Sequence, residues 1–206
     1  MFLLKLIALH RSTDPHVGSR RCGGMIGLLA TNGGKLIQGA NWYWYPRTIV
    51  LKLSHTNLEF LQWLMDYFSP LFTFTNRPKP VHAASSRSFR VNSVSSELAI
   101  QIWAHWNDES LNGVLPHHFS QYFSWYTLAF WAMRSGKYSG NSFYIQVSML
   151  EDIDKEVLMT ALKEKCGLDS KLTIKKTKLA ISNPVLVVEK LRPLFHESQL
   201  YRLDKV

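Results

Sequence analysis

Carboxylates are the first candidates for chemistry in this chain, because they bind divalent metals and transfer protons. Glu59, Asp66 and Glu97 fall on predicted peripheral helices, well apart in the sequence. A second group stands where a helix is predicted to begin, and consists of Glu151, Asp152 and Asp154. Acids at a helix start stabilise the helix dipole. This second group therefore predicts helix stabilisation rather than a catalytic centre.

Histidine and cysteine give no metal site either. His117 and His118 are adjacent, but no third ligand is apparent for zinc. The two cysteines, Cys22 and Cys166, are too few for a disulfide framework or a four-cysteine zinc site. Cys22 is interpreted as a packing residue rather than a nucleophile. We expect no metal and no cofactor.

Positive charge is the stronger signal. The 206 residues include 24 Lys and Arg against 15 Asp and Glu, which gives a net charge of +9. Residues 1–103 hold 11 basic and 4 acidic side chains, so most of the excess lies in the first half. With 46% hydrophobic and 13% aromatic residues, the composition excludes a disordered chain. A folded, basic, aromatic-rich chain favours a polyanionic partner.

Basic residues on predicted strands and neighbouring loops are candidates for phosphate contacts, which make affinity depend on salt. They are Lys35, Arg47, Lys52, Arg77, Lys79, Arg87, Arg90, Lys137, Lys171, Lys175, Lys176 and Lys178. Strand alternation predicts one shared face for Lys171, Thr173, Lys175 and Thr177. Trp42 and Trp44 are candidates for stacking on unpaired bases. The alternatives are a solvated face for the basic residues and core packing for the tryptophans.

The elements that must position these residues recur in the same order in two halves. Each half opens with an apolar helix, at 22–34 and at 119–135. In the first half, strands at 35–44 and 47–55 are predicted next, followed by a helix capped by Thr56 or Asn57. Strands at 72–75 and 86–94, separated by a loop at 76–84, and a helix that ends at 107 complete this half. The rest of the second half is predicted as strand 143–150, helix 152–166 ended by Gly167, strands 172–176 and 178–182, and helix 184–195.

Four segments in this order carry a family resemblance. They are 26–33 (Ile-Gly-Leu-Leu-Ala-Thr-Asn-Gly), 53–61 (Leu-Ser-His-Thr-Asn-Leu-Glu-Phe-Leu), 128–136 (Leu-Ala-Phe-Trp-Ala-Met-Arg-Ser-Gly) and 198–203 (Ser-Gln-Leu-Tyr-Arg-Leu). Together they resemble the LAGLIDADG homing endonucleases in their single-chain, two-motif form. The resemblance spans residues 22–203.

The resemblance implies an α+β fold of two pseudo-symmetric αββαββα halves. Signature helices would pair at the seam, and each half would present a saddle-shaped antiparallel sheet to nucleic acid. The helices would meet through the small residues Gly27, Ala30, Ala129 and Ala132. The implied organisation is an N-terminal extension at 1–21, a first half at 22–110 and a second half at 111–206.

The family holds its divalent metals with an acid before the terminal glycine of each signature. Here those positions are Asn32 and Ser135, and Arg134 replaces another usual acid. Neutral oxygens and a guanidinium suit Mg²⁺ poorly. We therefore predict that the chain is not an enzyme but a catalytically inactive member that keeps nucleic-acid binding. The alternatives are an active DNA endonuclease with unusual ligands, and a structural subunit that binds only protein.

The predicted partner is structured RNA rather than DNA, bound mainly by the first-half sheet. A ribosomal subunit on rRNA or an intron maturase would use such a surface, with neighbouring proteins in a larger assembly and no need for a homodimer. The expected localisation is the mitochondrion. Residues 1–21 have some features of a mitochondrial presequence, but an ordinary N-terminal element is favoured. No apolar segment reaches the roughly 18–20 residues that span a bilayer, so no membrane partner is expected.

Overall fold

The computed structural model describes residues 25, 27, 29, 34–38, 48–74, 76–83, 86–109, 115 and 119–205. The chain divides into two compact units. The first comprises Met1–Cys22 and Asn32–Asn107, and the second comprises Gly23–Thr31 and Asp108–Val206. The predicted division into a 1–21 extension and halves at 22–110 and 111–206 stays a prediction.

Within the residues that the structure describes, the first unit contains one four-stranded antiparallel sheet and two helices. Its elements are β1 (Gly34–Gln38), β2 (Ile49–His55), α1 (Leu58–Phe68), β3 (Lys79–Ala83), β4 (Ser86–Asn92) and α2 (Glu97–Glu109). The sheet order is β1-β2-β4-β3. The helix α1 begins where the sequence predicts, because the Asn57 side chain accepts a hydrogen bond from the Phe60 amide at 2.9 Å.

The predicted strand at 72–75 is wrong for residues 72–74, which the structure describes, and the loop predicted at 76–84 holds only for residues 76–78, because β3 occupies Lys79–Ala83. The strand that pairs with β4 is β3, which contains Pro80. Proline has no amide hydrogen and is tolerated in edge strands, and β3 lies at the edge of this sheet. Within residues 72–74, Phe72 is buried instead, and the Thr73 carbonyl accepts a hydrogen bond from the Val94 amide at 2.7 Å.

The second unit repeats this order of strands and helices. Its elements are α3 (Phe119–Tyr122), α4 (Trp125–Ser135), β5 (Lys137–Ser139), β6 (Ser142–Gln146), α5 (Asp152–Cys166), β7 (Ser170–Leu172), β8 (Lys178–Ile181) and α6 (Pro184–Leu191), then 3₁₀ turns Arg192–Leu194 and Glu197–Leu203. The sheet order is β5-β6-β8-β7, which repeats the strand order of the first sheet. The predicted fold class, α+β with two antiparallel sheets, is confirmed.

Several predicted elements of the second unit differ from the structure, among them the helix predicted at 184–195, whose α-helical part ends at Leu191. The helix at 119–135 divides at Ser124, because Ser124 and Thr127 form a capping box that starts α4 afresh. The predicted strand 143–150 is β6 alone and ends at Gln146, and β5 precedes it. The predicted strand 172–176 stops at Leu172, because Thr173–Lys176 form a turn in which Lys176 has φ 51°.

The core of the second unit lies between its sheet and its helices. The inner face of the two central strands is fully buried and comprises Phe143, Ile145, Leu179 and Ile181. Trp131 of α4 is also fully buried, and its indole Nε1 donates to the Gln146 carbonyl at 3.1 Å. This hydrogen bond ties the end of α4 to the end of β6. Within the described residues, no helix combines the length and hydropathy needed to cross a membrane.

A close approach of two backbones fixes the position of Gly27, whose backbone is helical like that of Met25 and Leu29. A Cβ atom built on Gly27 would collide with the Thr127 carbonyl oxygen of α4 and would lie 3.0 Å from the Phe130 Cβ. Glycine is therefore required where the backbone at this position meets α4.

Candidate nucleic-acid interface

The open face of the second sheet carries a row of residues that crosses all four strands. Backbone register aligns Lys137 of β5 with Tyr144 of β6, Tyr144 with Ala180 of β8, and Ala180 with Lys171 of β7. Residues directly opposite each other in a sheet share a face. The row therefore has a lysine at each edge and an aromatic and a small residue between them.

A second row lies beside the first on the same face. It pairs Gln146 of β6 with Lys178 of β8. Both residues are two positions along the strand from their counterparts in the first row, so alternation keeps them on the open side. Lys137, Lys171 and Lys178 are all exposed.

This face lines a groove of about 900 Å³, here called the basic groove. It is lined by residues 135–137, 139, 144–146, 171–175 and 177–178, together with Arg202. Its cationic lining residues are Lys137, Lys171, Lys175, Lys178 and Arg202. None of the residues that line it is a carboxylate. The groove is thus a concave surface with positive charge and no internal counter-charge, as an anionic ligand requires.

The turn between β7 and β8 is fixed to the neighbouring helix α5. The Lys176 ammonium lies 2.8 Å from Oδ2 of Asp152, and the Lys155 ammonium lies 2.9 Å from Oδ1 of the same carboxylate. These hydrogen bonds hold the pKa of Asp152 at about 2. Asp152 is therefore charged across the physiological range, and Lys176 pairs with protein rather than lining the groove. The interpretation of this acid as part of a helix start is consistent with α5 beginning there.

Strand alternation does not place the turn lysines as the sequence predicts. The prediction that Lys171, Thr173, Lys175 and Thr177 share a strand face is wrong, because only Lys171 lies on a strand. The turn nevertheless brings Lys175 into the lining of the basic groove. Ile174 at the same turn is fully exposed.

The end of α4 does not fit a divalent metal. The Ser135 hydroxyl donates to the Trp131 carbonyl at 3.3 Å and is thereby engaged with its own helix. Burial lowers the pKa of Arg134, and the nearby charge of Arg202 lowers it further. Two guanidinium groups and a neutral hydroxyl are a poor environment for Mg²⁺, which prefers charged oxygens. Asn32, the other predicted metal position, lies outside the described residues.

The first sheet places its predicted basic residues in shorter rows. Lys52 aligns with Lys35 on one side and Asn92 on the other. Arg90 aligns with Ser54 and with Lys79, and Arg90 and Lys79 are exposed. Arg77 is exposed in the loop before β3.

The structure describes only some of the other candidate residues of the first half. Arg87 belongs to β4 and aligns with His82. Arg87 stands three residues from Arg90, so strand alternation assigns the two positions to opposite faces of β4. Arg47, Trp42 and Trp44 lie outside the described residues. Their predicted contacts, like those of the other basic residues, stay predictions.

Sequence reasoning missed Arg202 and Tyr144 as site residues. Tyr144 belongs to the predicted strand 143–150, but only the register shows that it lies between two lysines. Arg202 stands 65 positions after Lys137 and belongs to the C-terminal segment quoted above for the family resemblance. That resemblance was the one signal that could have drawn attention to it.

Comparison with known proteins gives one family and several solved structures. Residues 46–190 match the LAGLIDADG DNA endonuclease family. The homing endonuclease I-WcaI bound to its DNA recognition sequence is similar with a TM-score of 0.70 and 12% identity, over 98% of this chain and 92% of that one. I-DmoI in complex with DNA and Mn is similar with a TM-score of 0.50 and 12% identity, over 84% and 96%. No curated protein matches the sequence.

These comparisons correct one prediction. The chain was predicted not to be an enzyme, on the ground of the neutral side chains Asn32 and Ser135. That prediction is wrong, because the matched family and the similar structures are DNA endonucleases. The predicted homing-endonuclease-like fold is confirmed.

Proposed function

The chain belongs to the LAGLIDADG DNA endonuclease family, and from this premise we propose that it binds duplex nucleic acid in its basic groove. The observation that carries the proposal is the row of residues from Lys137 to Lys171 across a groove without carboxylates. The similar structures of I-WcaI and I-DmoI contain DNA, which supports the same class of ligand here.

The spacing of the edge lysines suits a duplex. Strands in a sheet are about 4.8 Å apart, so three spacings separate the Lys137 and Lys171 backbones by about 14 Å. The major groove of B-DNA is about 12 Å wide between its phosphate backbones. Lysines on the two edge strands can therefore contact opposite backbones while the central strands face the groove between them.

The residues between the edge lysines can contact bases. Gln146 offers an amide that pairs with the N6 and N7 edge of adenine in the major groove. Tyr144 adds an aromatic ring and a hydroxyl at the middle of the same face. In this arrangement the lysines position the protein, and the two central side chains contribute sequence preference.

The experiment is a salt titration of duplex DNA binding by the Lys171→Ala, Lys178→Ala double variant. Each lost phosphate contact lowers the slope of log affinity against log salt by about 0.9, so the slope should fall by about 1.8. The matched control is Lys165→Ala, Lys190→Ala, which removes the same charge from exposed positions on α5 and α6. Equal slopes for the two double variants would place the interface elsewhere.

A second candidate ligand is structured RNA, and the observation that favours it is Tyr144. A half-exposed aromatic ring among lysines offers a platform on which an unpaired base can stack. The same titration with an RNA hairpin and with a DNA duplex measures the preference directly.

We further propose a mitochondrial site of action, with ribosomal or intron RNA as the RNA ligand and neighbouring proteins as partners. Identifying the RNA that co-purifies with the chain tests this assignment.

A further inference from the structure

Arg202 is held in place from several sides at the end of α4. Its Nε donates to the side-chain oxygen of Gln199 at 3.0 Å, and its Nη1 donates to the Gly136 carbonyl at 3.3 Å. Gln199 is itself buried, and the Tyr201 ring centre lies 5.1 Å from the guanidinium carbon. These contacts orient the guanidinium, so its remaining donors have a defined direction.

The hydrogen-bonding capacity of Arg202 is only partly used. A guanidinium has five N–H donors, and the contacts with Gln199 and Gly136 engage two of them. Arg202 is half-buried, and no carboxylate of the described residues forms an ion pair with it. A partly desolvated charge with unused donors is stabilised by an anion that supplies two oxygens at once.

The neighbourhood of Arg202 favours an anion further. Lys137 follows the Gly136 carbonyl that Arg202 contacts, and both cations line the basic groove. Arg134 is near enough for its charge to interact with that of Arg202. The carbonyl groups at a helix C-terminus repel anions, but the guanidinium of Arg202 lies beside this end of α4, where it donates to the carbonyl of Gly136, the residue after the helix.

We propose that Arg202 and Lys137 form an oxoanion site that binds one backbone phosphate at the end of α4. This inference rests on the proposed function and adds a specific contact to it. The planar guanidinium would bind two phosphate oxygens, whereas Lys137 would supply a point charge.

The test is duplex DNA binding by Arg202→Gln over a range of salt concentrations. Loss of one phosphate contact should lower the salt slope by about 0.9, which corresponds to about 5-fold weaker binding at 0.15 M salt. The matched control is Arg192→Gln, since Arg192 is exposed and lies 3.5 Å from Asp204 in an ion pair. The control should leave the slope unchanged.

Arg202 also has a structural contact, so thermal unfolding is measured alongside binding. A lower Tm with an unchanged salt slope would show that the role of Arg202 is only structural, and would overturn the inference. Arg202→Lys keeps the charge and loses the planar fork, so its slope should equal that of the wild type while its affinity is lower. Wild-type affinity in Arg202→Lys would also overturn it.

The result separates this inference from the function on which it rests. If Lys171→Ala, Lys178→Ala lowers the slope and Arg202→Gln does not, the groove binds nucleic acid and the Arg202 site is refuted. If neither variant changes the slope, both proposals fail.

Discussion

Replacing Trp131 by alanine is expected to lower the free energy of unfolding by about 3–5 kcal/mol. Trp131 is fully buried in α4, so the change leaves a large cavity between the helix and the sheet. It also removes the indole donor from the Gln146 carbonyl. Because Gln146 lies on the strand that carries Tyr144, the loss should loosen the floor of the basic groove as well.

Urea unfolding followed by circular dichroism measures this change. Trp63→Ala is the matched control, because Trp63 of α1 is only half-buried and stacks on Phe60 at 5.5 Å between ring centres. The control should lose clearly less stability. A loss below about 1 kcal/mol for Trp131→Ala would mean that α4 does not pack on the sheet as described.

Replacing Gly27 by alanine is expected to destabilise the protein, although alanine is the better helix former by about 1 kcal/mol. The added methyl would collide with the Thr127 carbonyl oxygen and approach the Phe130 Cβ to 3.0 Å. Neither atom is the far end of a flexible side chain, so a backbone shift is required. Overpacking of this kind costs about 1–3 kcal/mol.

The informative outcome is whether Gly27→Ala lowers or raises the free energy of unfolding, and the same urea assay measures it. A helix with no close neighbour would become more stable through the intrinsic propensity of alanine. A gain in stability would therefore contradict the contact between this helical segment and α4.

Local signals in the sequence predicted the start of α1 and the end of α5. Asn57 caps α1, and Gly167 ends α5 with the left-handed φ of 66° for which glycine is suited. The order of elements in the two halves was also predictable, because hydrophobic periodicity is a local property. Pro80 misled the prediction, since nothing in the sequence shows that its strand is at a sheet edge, where a missing amide hydrogen is harmless.

The candidate site was less predictable, because it depends on the pairing register of the strands and on which faces carry the acidic side chains. The charge count pointed to the first half, since residues 104–206 carry 13 basic and 11 acidic side chains. In the structure the basic groove of the second unit contains no carboxylate, and Asp152 pairs with Lys155 and Lys176 outside it. A net charge cannot show this separation of charges between faces.

Amine-specific labelling of lysines, with and without bound duplex DNA, tests most directly whether the basic groove is the binding surface. We expect bound duplex to protect Lys137, Lys171, Lys175 and Lys178 from modification. The exposed helix lysines Lys163, Lys165 and Lys190 serve as internal controls and should react equally in both states. Protection of these helix lysines, with the groove lysines still fully reactive, would contradict the account.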